Sequence, residues 1–228
     1  MSFIVIEGLD GSGKSTQMKK FNRYLKDHQI DSEYLHFPRT DSPVYGDLIS
    51  RFLRGELGAI EQVHPYLVAL LFAGDRAETK GQLNQWLASG KTIVLDRYVY
   101  SNIAFQCAKL ATHEEQDELR KWILETEFNH FKIPKPHMSI FLDVPFSFIQ
   151  QNLENNRCGD DRTYLQGRED IHEQDLQFQE QVRQMYLRTA ETSNELQVLN
   201  CVSSEGTMKS AETIFQELLH LLNKHNIL

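Results

Sequence analysis

The sequence predicts an α/β protein in which a parallel sheet is covered by helices on both faces. Five short runs carry that expectation: SFIVIE, SEYLHF, TIVLD, MSIFLDV and LQVLN, each rich in β-branched or aromatic residues. Longer stretches with helical spacing of apolar residues separate them. Strands that are apolar at nearly every position suit burial on both faces, and parallel neighbours need helical crossovers between them. In such a sheet ligands gather beyond the carboxyl ends of the strands. Those ends carry Glu7 with a glycine loop, Phe37-Pro38-Arg39, Asp96-Arg97-Tyr98 and Asp143.

The 228 residues, 40% of them hydrophobic, suffice for one substantial core, so residues 1–228 are expected to form a single domain. A net charge of −8 argues against a general nucleic-acid or membrane-surface protein, and any anion site must be local. The first residues lack a basic segment leading into a long apolar one, and no apolar run approaches about 18 residues. Neither secretion nor membrane spanning is therefore expected, and the cytoplasm is the expected location. Cys107, Cys158 and Cys201 lack metal-ligand spacing and read as reduced thiols.

The first strand run leads into GLDGSGKST, residues 8–16, and then into the helical pattern QMKKFNRYLK. The stretch fits G-x-x-x-x-G-K-[ST], with Gly8, Gly13, Lys14 and Ser15 at the fixed positions and Leu9, Asp10, Gly11, Ser12 and Thr16 completing it. Glycines let the loop turn sharply and bring backbone N–H groups against phosphate oxygens. The helix starting near Lys14 aims its N-terminus at the same place. Lys14 can then reach the β- and γ-phosphates of a nucleotide such as ATP, and the Ser15 hydroxyl can sit on Mg²⁺.

After the second strand run, HFPRTDSP supplies Phe37 and Arg39. HPYLVALLFAGDRAE then sets Phe72 and Arg76 one helical turn apart, an aromatic face for a base beside a planar hydrogen-bond donor. DRYVYSN ends the third strand: Asp96 is placed to hold Mg²⁺, and Arg97 offers a fork to a second phosphate. HEEQDELRKWILETEFNHF reads as an amphipathic helix carrying no chemistry, with His113 and His130 at its exposed ends. NNRCGDDRTYLQGREDIHEQD, residues 155–175, is polar, and its Arg157, Arg162 and Arg168 suit a lid that closes over a transferring phosphoryl group. AETIFQELLHLLNKH is an ordinary amphipathic helix at the C-terminus.

No Asn-Lys-x-Asp stretch reads a guanine, which leaves phosphoryl transfer to a second small molecule as the stronger class. A kinase for another nucleotide or nucleoside, and a catalytically silent nucleotide-binding regulator, are the competing readings.

FIVIEGLDGSGKSTQ, HFPR, LLFAGDRAE, DRYVYSNIAFQ and IFLDVP follow one another in an order and spacing that resemble the thymidylate kinases. These P-loop nucleoside monophosphate kinases convert dTMP to dTDP. The resemblance implies a P-loop NTPase-type three-layer sandwich, with a five-stranded parallel sheet flanked by helices and a small lid at about residues 155–172. It also implies ATP as donor, Mg²⁺, dTMP as acceptor and a homodimer, for which TKGQLNQWLAS and SNIAFQCAKLA are candidate faces.

Carried onto this chain, the family pattern makes Phe72 the ring that stacks on thymine and Arg76 the donor to its O4. Arg39 and Arg97 grip the dTMP phosphate, Ser101 and Asn102 line the base edge, and Phe37 belongs to the same pocket. Asp10 lies near the acceptor, and Phe105 lies beneath the deoxyribose, where a 2′-hydroxyl would crowd. Gly11 and Ser12 bring no cation to the loop, so the resemblance shifts that role to the lid, to Arg157 and Arg162 ahead of Arg168. The neighbouring Asp160 and Asp161 depart from the most basic lids of the family.

Overall fold

The computed structural model describes residues 1–60, 62–154, 164–167, 170–172 and 175–228. Its strands are β1 (Phe3–Glu7), β2 (Ser32–His36), β3 (Thr92–Asp96), β4 (Met138–Asp143) and β5 (Leu196–Asn200). They form one five-stranded sheet in the order β2-β3-β1-β4-β5, and every pairing is parallel. The three inner strands are buried at every position, which is why their sequences are almost continuously apolar. β2 and β5 are the edges, and their more polar sequences match partial exposure.

Helices α1 (Lys14–Asp27), α2 (Tyr45–Leu53), α3 (Pro65–Ala88), α4 (Val99–Cys107), α5 (His113–Leu124), α6 (Phe146–Glu154), α7 (Leu176–Glu191) and α8 (Ala211–Lys224) connect and cover the strands. α1 and α8 pack together through the rings of Phe21 and Phe215, whose centroids lie 6.4 Å apart. α4 is buried at all nine positions, so the stretch SNIAFQC is core and supplies no dimer face. The thiols of Cys107 and Cys201 are free and buried, and burial pushes both up to about 12. Cys158 lies outside the described residues.

One element departs from the sequence expectation. The single amphipathic helix expected from residue 113 onward begins with a capping box between Thr112 and Glu115, but its regular part ends at Leu124. A π-helical turn, Glu125–His130, follows, and it takes Glu127 to full burial. A polar face cannot bury an acid without a partner, and Glu127 has one in α3, described below.

Register brings the business ends of the strands level. Ile6 of β1 pairs with Asp96 of β3, which pairs in turn with His36 of β2. The amide of Arg97 then donates to Ile6 O at 3.0 Å and that of Phe37 to Asp96 O at 3.0 Å. Pro38 follows through a cis peptide bond, and the chain turns back over α2. Gly46 permits that close approach, since a Cβ there would lie 2.3 Å from Arg39 O and 2.7 Å from Ser42 Oγ. Gly46→Ala is therefore expected to destabilise the fold by about 1–3 kcal/mol despite the better helix propensity of alanine, because the obstacle is backbone. Urea denaturation of the two proteins measures it.

Candidate active site

The glycine loop leaves β1 at Glu7 and enters α1 at Lys14. Gly11 and Gly13 take φ of 76° and 82°, the left-handed region that glycine enters without strain. No side chain caps α1, whose N-cap is Gly13, so the helix dipole meets the loop uncovered. Lys14 Nζ lies across the loop, donating to Gly8 O at 3.2 Å and Leu9 O at 3.1 Å. Ser12 is buried, with its hydroxyl oxygen unpartnered among the described residues. Ser15 and Thr16 are exposed on the first turn of α1.

Asp96 faces this loop from the end of β3. Its Oδ2 lies 3.3 Å from His36 Nδ1, while Oδ1 is buried without a hydrogen-bond partner among the described residues. Burial pushes the carboxyl upward, but the His36 hydrogen bond and the charge of Lys14 hold it below its ordinary value. An ionised carboxylate with one orphaned oxygen, together with the Ser15 hydroxyl, fits Mg²⁺, which takes oxygen ligands and completes its octahedron with water and phosphate. No cluster of three or more acidic, histidine or cysteine side chains suited to a metal occurs among the described residues.

Arg97 is held on all sides. Its backbone sits at φ 68°, a strained value for a residue with a Cβ. Nη2 donates to Asp10 Oδ1 at 2.8 Å, Nη1 donates to Ser101 Oγ at 3.2 Å, and the guanidinium carbon lies 5.0 Å from the centroid of the Phe105 ring. Burial opposes its charge, but Asp10, Tyr186, Asp96 and Glu7 together raise its pKa. Behind it, Glu7 accepts from Tyr98 N at 3.0 Å, Ser101 Oγ at 2.5 Å and Tyr186 O–H at 3.0 Å. The Ser101 hydroxyl is thus engaged in orienting Arg97, a different task from the base-edge contact expected of it.

The remaining expected acceptor residues divide between partly exposed and fully buried positions. Arg39 is clamped by Asp75, which accepts from its backbone N at 2.9 Å and its Nε at 2.8 Å, and its Nη2 also donates to Glu78 at 2.9 Å. Phe37 is 1% exposed and packs on Tyr98, so the structure gives it a core role where a ligand contact was expected. Phe72 is half-buried beside the cluster of Ile49, Phe52, Leu53 and Val68. Arg76 is 2% exposed and forms a two-point ion pair with Glu127, Nε to Oε2 at 2.5 Å and Nη2 to Oε1 at 2.7 Å. Asn102 Nδ2 donates to the same Oε1 at 3.0 Å and to Ala69 O at 3.0 Å.

Arg157, Arg162, Arg168, Asp160 and Asp161 lie outside the described residues. Neighbouring described segments pack on the end of α2: Ile171 N donates to Leu53 O at 3.0 Å and Arg54 Nη1 to Tyr164 O at 2.7 Å. Sequence reasoning missed Glu7, Asp75, Glu127 and Tyr186 as partners of the cations, because a partner across the fold leaves no local spacing signal. It also missed His172, which is buried against the rings of Phe52, Phe105 and Phe178 at 5.1–5.5 Å.

Burial, aided by Lys109, pushes the His172 imidazole well below its ordinary 6.5, with Asp10 opposing. The unfolded chain therefore binds this proton more readily, so the contribution of His172 to stability is complete above about pH 6.5 and declines as pH falls below it. Denaturation across pH 5 to 8, roughly the range in which histidine titrates, should show that loss, and His172→Phe should remove that component.

Residues 6–211 match the family model described as thymidylate kinase. The chain is 31% identical over 228 residues to the protein named "Probable thymidylate kinase" of Pyrococcus abyssi, covering 99% of this chain and 97% of that one. It is 30% identical over 189 residues to the thymidylate kinase of Mycobacterium tuberculosis, covering 82% and 85% of the two chains. Among solved structures, the thymidylate kinase of Candida albicans superposes with a TM-score of 0.71 at 26% identity, covering 99% of this chain and 92% of that one. The glycine loop, the strand order and these matches along the chain agree: the chain belongs to the thymidylate kinase family.

Proposed function

We propose that this chain is a dTMP kinase: it transfers the γ-phosphoryl group of ATP to dTMP, giving dTDP and ADP. Arg97 carries the reading: one buried cation is bonded to Asp10 of the glycine loop and lies over Phe105, which supports a guanidinium set between the loop and the expected acceptor position. An oxygen of the dTMP phosphate forms a bond to the γ-phosphorus as the bond to the β–γ bridging oxygen breaks, and ADP leaves with that electron pair. The nucleophile is already anionic at neutral pH, so the protein needs no strong general base. It aligns two anions and offsets their repulsion.

Lys14 and the loop amides hold the donor phosphates, Arg39 and Arg97 hold the acceptor phosphate, and Phe72 stacks the base. Arg157 and Arg162 complete the cation set from the lid. Ser15 and Asp96 would hold Mg²⁺, which would neutralise charge on the donor phosphates. Phe105 favours a deoxyribose. The exposed Leu67 and Leu70 of α3 support pairing of two copies through helix faces. No described helix is long and apolar enough to cross a membrane.

An assay of ADP release with ATP and Mg²⁺, run in parallel with dTMP, dUMP, dCMP, dAMP, dGMP, UMP and thymidine, tests the reading. Turnover should be fastest by far with dTMP; equal or faster turnover with thymidine would contradict the assignment of Arg39 and Arg97. Lys14→Ala should lower kcat between about a hundredfold and a thousandfold, since it removes charge aimed at the transferring group. Near-normal kcat in that variant would remove Lys14 from the mechanism.

A further inference from the structure

We infer that Glu127, on the π-helical turn, is a positioning residue that sets which pyrimidine the acceptor pocket takes. The inference rests on reading that pocket as the dTMP site. One carboxylate oxygen, Oε1, accepts from both Arg76 Nη2 at 2.7 Å and Asn102 Nδ2 at 3.0 Å. Arg76 comes from α3, Asn102 from α4 and Glu127 from the turn after α5, so a single buried group ties together the two side chains expected to read the base. A charge partner for Arg76 alone would not need to touch Asn102.

The consequence lies in the direction of the Asn102 amide. Its nitrogen faces two groups that only accept, the Glu127 carboxylate and Ala69 O at 3.0 Å. Turning the amide over would set its oxygen against two oxygens. Asn102 Oδ1 is therefore fixed as an acceptor, and it is buried with no hydrogen-bond partner among the described residues. With its Nε and Nη2 committed to Glu127, Arg76 keeps Nη1 as a donor. Both side chains flank the same Glu127 oxygen, and an acceptor next to a donor complements a 2,4-dioxopyrimidine, which offers N3–H and O4. A 4-aminopyrimidine offers the reverse, a bare N3 and an amino group, and meets a mismatch at both points.

Glu127 thus acts against dCMP as much as for dTMP, by denying Asn102 the orientation that would suit cytosine. Its burial at 0% exposure and the π-turn that delivers it fit this use, since single π-turns in helices are frequent at functional sites. A glutamine at this position can donate or accept, so it removes the lock while keeping size.

The test measures kcat and KM for dTMP and for dCMP in the wild type and in Glu127→Gln, after circular dichroism confirms that the variant is folded. KM for dTMP should rise about tenfold or more with kcat within about threefold, and the dTMP-to-dCMP ratio of kcat/KM should fall by about ten- to a hundredfold, the range one to two hydrogen bonds support. An unchanged ratio, or a loss confined to kcat, would overturn the inference. If Glu127→Gln does not fold, two variants without buried charge decide: R76M/E127Q should use dCMP relative to dTMP at least about threefold better than R76M/E127L. Equal ratios in that pair would overturn it. Wild-type turnover of dTMP tests the functional reading separately, and a wild type inactive on every nucleotide would remove both.

Discussion

The buried carboxylate of Glu7 is the constraint on which the site depends. It ends β1, the central strand, and collects a backbone N–H and two hydroxyls from α4, its N-cap and α7. Burial, the largest influence, pushes its pKa up, while the Ser101 hydrogen bond and the charge of Arg97 act in the other direction. Removing the partners of such a group leaves an uncompensated buried acid, whereas satisfying them ties three elements to one atom pair. The left-handed backbone of Arg97 immediately precedes Tyr98, whose N–H Glu7 holds. Strain of about 1–3 kcal/mol there is offset by hydrogen bonds to charged groups worth about 1.5–3 kcal/mol each.

The same logic repeats around the acceptor pocket. Arg97 is held by Asp10, Arg39 by Asp75 and Arg76 by Glu127. Each pair fixes a planar donor before any substrate arrives, and such preorganisation is how a protein stabilises charge without reorganising at the moment of reaction. The pairs also explain how a chain of net charge −8 can receive two polyanions. Lys14 follows the loop after β1, Arg39 and Arg97 stand just beyond the ends of β2 and β3, and the two arginines have carboxylate partners beside them.

The glycine loop was legible in GLDGSGKST because its chemistry is local: turn, amides, lysine and helix start are contiguous. The inner strands were legible because burial on both faces leaves runs such as FIVIE and IFLD almost without polar residues. Glu127 was not legible. It lies among polar residues of a stretch with helical spacing, and only the π-turn and the distant Arg76 explain its burial. The contacts of Phe37, which packs on Tyr98, and of Ser101 in α4, which bonds Glu7, were not legible either, because each partner comes from another part of the chain.

On the proposed reading, the region beside the glycine loop receives an acceptor that already carries a phosphate. Calorimetric titration of the protein with dTMP and with thymidine, without ATP, tests it most directly. The pre-set guanidinium groups of Arg39 and Arg97 predict that dTMP binds at least about a hundredfold more tightly, the equivalent of about 2.7 kcal/mol. Equal affinities for the two would contradict the account, because the phosphate would then contribute nothing to recognition.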